Sequence, residues 1–119
     1  MAYPEFTLTS IAMIAQTPKP PYYAVIFTSE RTDGDNGYLE MAEEMEKLVS
    51  RQQGFLGFES ARESLGITVS YWENLESIRQ WKENAEHTEA REKGRNIWYK
   101  SFKVRIAKVE RDYGFENDE

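Results

Sequence analysis

The chain has 119 residues, of which 39% are hydrophobic and 13% aromatic, so a single folded domain with a real core is expected despite 30% charged residues. Its 15 basic and 21 acidic residues leave a net charge of −6 with no basic stripe, which excludes a nucleic-acid partner. Cysteine is absent, which removes disulfides, thiolate catalysis and cysteine-held metal clusters and agrees with a reducing cytoplasm.

Residues 1–21 form an extended lead-in, because the prolines of "TPKPP" forbid helix there. "YYAVIFTSER" (22–31) is a strand by its β-branched and aromatic content. Tyr23, Val25 and Phe27 alternate with Tyr22, Ala24 and Ile26, so both sides are apolar and the strand belongs in the middle of a sheet covered on both faces. "TDGDNG" (32–37) is a loop. Over 38–52, Tyr38, Met41, Met45, Leu48 and Val49 recur at helical spacing, with glutamates on the outer side.

"GFLGFESARES" (54–64) and "ITVSYWE" (67–73) are two strands joined as a hairpin near Leu65–Gly66. Asn74 suits the N-cap of a second helix over 75–93 whose inward stripe is Ile78, Trp81, Ala85 and Thr88, with Gly94 as its interruption. "RNIWY" offers a further helical turn. Phe102, Val104 and Ile106 then alternate with Ser101, Lys103 and Arg105 in a last strand buried on one side (99–111), and 112–119 is a tail.

The order β-α-β-β-α-β predicts an α+β, ferredoxin-like domain over 22–111, with both helices on one face of an antiparallel sheet. The second face would be bare in a monomer, and two such faces packed together give a homodimer.

Four stretches, "PPYYAVIFTSERTDGDNGY", "QQGFLGFESARE", "GITVSYWENLESIRQWKENAEH" and "VRIAKVERDYGFE", resemble the antibiotic biosynthesis monooxygenase (ABM) family over residues 18–116. The resemblance implies a dimeric α+β barrel with a cavity between sheet and helices. It also implies one of three activities: oxygenation of an aromatic or quinol-like small molecule without metal or flavin, ligand binding without catalysis, or haem binding and degradation. Haem-degrading members would call for an asparagine on the first strand, and "YYAVIFTSER" has none.

Cofactor-free oxygenation needs a substrate that passes an electron to dioxygen once it is deprotonated. Trp81, Trp72, Tyr71, Phe27, Phe58 and Tyr23 are the candidates to stack on a flat substrate. His87, the sole imidazole, is the candidate base. An ideal helix sets it about 120° round and about 9 Å along from Trp81, off the inward stripe, so a solvated histidine paired with Glu83 or Arg91 is the competing reading. Trp81 has its own competing reading, as a core anchor. Arg62 and Arg105 could neutralise a substrate anion, or stand exposed on their strands. One histidine and no glycine-rich phosphate fingerprint predict no metal and no bound cofactor. No 18-residue apolar run and no basic leader are present, so a soluble cytoplasmic protein with no membrane partner is expected.

Overall fold

A computed structural model describes residues 13–92 and 95–117. In chain order the elements are β1 (Tyr22–Arg31), α1 (Tyr38–Ser50), β2 (Phe55–Arg62), β3 (Leu65–Trp72), α2 (Leu75–Glu92), the single turn α3 (Arg95–Trp98) and β4 (Tyr99–Val109). The strands form one sheet in the order β2-β3-β1-β4 with every neighbouring pair antiparallel, the ferredoxin-like arrangement. β1, apolar on both sides, takes a central place between β3 and β4.

Local chemistry accounts for the helix starts. Asp35 accepts from the Gly37 and Leu39 amides at 3.0 and 3.1 Å, covering donors that the first turn of α1 leaves open. Asn74 accepts from the Ser77 amide at 2.8 Å and so caps α2. Gly94, the expected interruption of the second helix, lies outside the described residues, as do residues 1–12 of the lead-in and the last two residues of the tail.

Trp72, with 0% exposure, centres the core beneath the helices together with Val49 of α1 and Ile78 of α2. Tyr23, Val25, Phe55 and Trp81 pack against that cluster. Trp72 donates its indole N–H to Ser70 Oγ at 2.9 Å, so the buried ring carries no orphaned donor.

Three expectations need correction. β4 is an edge strand and is not buried on one side: Val104 and Ile106, on the face shared with Val25 and Phe27, are 45% and 51% exposed. The β2–β3 turn lies at Glu63–Ser64, because Arg62 pairs directly with Gly66 and Leu65 already belongs to β3. Gly66, which looks like a turn residue in sequence, is therefore a strand residue. The second face of the sheet is also not bare. Tyr22 and Ala24 are buried there, and residues from both ends of the chain reach Tyr22: Thr17 donates to its hydroxyl at 3.0 Å, and that hydroxyl donates to Asp112. Glu59 accepts from the Ala15 amide at 3.0 Å and from the Tyr71 hydroxyl at 2.7 Å, tying the lead-in to the same face. Burial, then Asp112, pushes the Tyr22 hydroxyl above its ordinary pKa, and burial followed by Glu59 does so more strongly for Tyr71. Farther along this face Leu65 and Ile67 stay 48% and 41% exposed.

Candidate functional site

Between the sheet and the two long helices lies a cavity of about 350 Å³. Strand alternation decides which side chains reach it. Val25 and Phe27 of β1, Thr68 and Ser70 of β3, and Phe58, Ser60 and Arg62 of β2 form its floor, and β4 continues that floor with Phe102, Val104 and Ile106. Met41, Met45 and Val49 of α1 and Ile78, Trp81 and Ala85 of α2 form the roof. Methionine thioethers are soft and adaptable, so this roof can shape itself to a flat ligand.

Aromatic rings stand at both ends. At one, Trp81 is stacked on Trp72 with centroids 6.3 Å apart and planes 27° apart, and Trp72 meets Phe55 edge-on at 5.4 Å. At the other, Phe27 packs against Phe102 at 5.2 Å and against Tyr99 at 5.6 Å, and Tyr38 meets Tyr99 at 5.9 Å. The Arg31 guanidinium caps the Tyr38 ring at 3.6 Å and holds that end of the roof.

Polar groups in the lining are few and mostly engaged. Ser60 and Thr68 share a hydrogen bond of 3.1 Å across β2 and β3. Lys82 and Glu86 pair at 3.0 Å at the exposed mouth. Arg62 differs. Its Nη2 donates to Ser29, which is 1% exposed, while its Nη1 is buried without an acceptor among the described residues. Arg105 is exposed on the sheet's other face.

Of the residues singled out in sequence, the structure brings Trp81, Phe27 and Phe58 to the cavity. Trp72 and Tyr23 face the same layer but lie in the core next to it, with Trp72 sealed beneath Trp81. Tyr71 points to the opposite face, bonded to Glu59 and edge-on to Tyr22 at 5.8 Å. His87 is exposed on α2 and is not part of the cavity lining. Its expected neighbour Glu83 instead pairs with Arg79 at 2.8 Å, and the Arg91 side chain lies outside the described residues.

Tyr38, Met45, Tyr99 and Phe102 also reach the cavity, and in sequence they show only helix or strand periodicity. Their periodicity marks an inward face, but it cannot separate a filled core from a hollow one. Among the described residues no three histidine, cysteine, aspartate or glutamate side chains gather to hold a metal, and no helix is long and apolar enough to cross a membrane.

Comparison with known proteins agrees with this geometry. Residues 21–93 match the family model for antibiotic biosynthesis monooxygenase. The chain is 50% identical over 107 residues to the uncharacterized protein YqjZ of Bacillus subtilis, covering 88% of this chain and 94% of that one. Among solved structures it resembles PA3566 of Pseudomonas aeruginosa, with a TM-score of 0.60 and 16% identity over 81% of this chain and 99% of the other. It also resembles a Bordetella bronchiseptica protein provisionally named an antibiotic biosynthesis monooxygenase, with a TM-score of 0.58 and 16% identity over 74% and 96% of the two chains. At such identities the structural likeness speaks for the fold.

Proposed function

Because the chain belongs to the antibiotic biosynthesis monooxygenase family, we propose that its sheet–helix cavity binds an aromatic or quinol-like small molecule and oxygenates it without metal or flavin. The observation that carries this reading is the largely apolar cavity walled by Phe27, Phe58 and Trp81, whose polar floor groups, Ser60, Thr68, Ser70 and Arg62, gather on β2 and β3. Such a lining holds a planar ring system by area burial and by ring-on-ring contact.

The chemistry asks little of the protein. A hydroxylated aromatic with an acidic C–H loses a proton, and the resulting anion passes an electron to dioxygen. Recombination forms a carbon–peroxide bond. Loss of water then leaves one oxygen atom in the substrate as a carbonyl and carries the other away, with both hydrogens taken from the same carbon. The substrate is the reductant, so no further electron donor is required. The chain contributes orientation through its aromatic walls and exclusion of bulk water during the radical step. Glu46, half-buried on α1 rather than on its outer side as the helical spacing suggests, and Glu86 at the exposed mouth both line the cavity, and in this reading they are the candidates to relay the proton. His87, exposed beyond the lining, is not among them.

A second reading, ligand binding without turnover, is favoured by that same displacement of His87. Oxygen uptake separates the two. Protein treated with chelator and mixed with anthrone-type and dihydroxynaphthalene substrates should consume dioxygen in step with quinone formation. Saturable binding with no oxygen uptake above the substrate's own autoxidation would leave the binding module standing and remove the enzyme.

A further inference from the structure

A guanidinium stays charged at any ordinary pH, and burying it costs free energy unless an opposite charge or a full set of acceptors compensates. Arg62 lines the cavity, and the fold makes room for it there. Gly66 lies directly across the β2–β3 pair, and a methyl group at that position would overlap the Cζ, Nε and Nη2 atoms of Arg62. Ser29 of β1, itself buried, takes the Nη2 end of the fork. The Nη1 end is buried with no acceptor, and among the described residues no carboxylate forms an ion pair with it. Three strands thus hold a cation at the cavity floor with half of its hydrogen-bonding fork unused.

We propose that Arg62 is an anion-recognition site and that the ligand is a flat aromatic molecule bearing an acidic oxygen, either a carboxylate or an ionised phenol or enol. The inference rests on the cavity being the ligand site and adds the charge of what enters it. The aromatic body lies against Trp81, Phe27 and Phe58, and the anionic oxygen accepts from Nη1 after a small rotation about the Cγ–Cδ and Cδ–Nε bonds of the side chain. Ser29 already restrains the side chain, so little ordering is left for the ligand to impose. A charge-assisted bond in this partly desolvated setting is stronger than one to an exposed arginine such as Arg105.

The test compares matched probes differing only in charge: naphthoate against its methyl ester, and hydroxynaphthoquinone against its methyl ether. Binding is followed at neutral pH by quenching of tryptophan fluorescence, for wild type, Arg62→Gln and Gly66→Ala. Wild type should bind at least one anionic probe about ten-fold or more tighter than its neutral partner. A preference confined to naphthoate assigns a carboxylate, and one confined to hydroxynaphthoquinone assigns an ionised enol. Arg62→Gln should erase the preference while keeping affinity for the neutral probes, and Gly66→Ala should weaken it by displacing the guanidinium with its charge intact. The wild-type comparison needs no variant, so misfolding of either substitution leaves the test decisive. Equal binding of anionic and neutral partners, or a preference that survives Arg62→Gln, overturns the anion site and leaves the cavity reading intact. Failure of every aromatic probe to bind wild type overturns the cavity reading, and the anion site with it.

Discussion

Trp81 of α2 lies over Trp72 of β3 with the ring planes 27° apart and the centroids 6.3 Å apart, so one tryptophan seals the core and the other closes the cavity above it. The two should respond differently to truncation. Trp72 is wholly buried and Trp72→Ala should cost about 3–5 kcal/mol, enough to unfold much of a marginal domain. Trp81 is only half-buried, and Trp81→Ala should cost about half as much while enlarging the cavity. Urea melts of both variants check the order. If Trp81→Ala proves the more damaging, Trp81 is the anchor of α2 and its place in the cavity wall is incidental.

His87→Ala should shift stability by no more than about 0.5 kcal/mol, since the ring is exposed and Glu83 is already engaged by Arg79. Ligand affinity and oxygen uptake should match wild type within two-fold. A variant that melts normally but has lost turnover would show that the end of α2 turns its imidazole inward when substrate binds, and would restore His87 as the base.

The parts of the fold set by local pattern were legible in the sequence, and those set by distant contacts were not. Two-sided apolar alternation over residues 22–27 located the central strand, and Asn74 marked the start of α2 through a bond to an amide three residues away. Gly66 misled because glycine favours turns, whereas here it is a strand residue whose missing side chain leaves room for Arg62. Arg62 is held by Ser29, 33 residues earlier in the chain, and no periodicity reports such a bond. Likewise the contact between Tyr22 and Asp112 spans 90 residues, so the lead-in and tail gave no sign in sequence that they cover a sheet face.

Alkaline pH should expose that cover. Tyr22 and Tyr71 both have pKa values raised in the folded state above the ordinary 10.0. Above that value the unfolded chain releases these phenolic protons while the native chain retains them, so the unfolded state binds fewer protons and stability falls as pH rises. Below about pH 10 the contribution is complete. Tyr71→Phe, which keeps the ring packing but removes the ionising group, should flatten the decline between about pH 10 and 11 relative to wild type. Chemical denaturation at stepped pH measures it; parallel curves for the two proteins would mean that the Tyr71 hydroxyl is neither buried nor held by Glu59 in solution.

The remaining exposed part of the second sheet face bears on assembly. Leu65 and Ile67 project from β3 on the side away from the helices and stay exposed beside the described part of the lead-in and tail. Exposed branched side chains on a sheet face are a liability in a monomer and an anchor in a dimer. A second copy packed on this face would place the two sheets back to back with helices outside, and the chain should scatter light at about twice its 13.9 kDa mass at micromolar concentration. Ile67→Lys puts a charge into that contact without touching the core centred on Trp72. It should shift the protein to monomer with its far-ultraviolet circular dichroism unchanged. If wild type already runs as a monomer at every concentration tested, the face is not an interface. If Ile67→Lys stays dimeric, the two copies meet elsewhere on the chain, and the open edge of β4 is the next surface to probe.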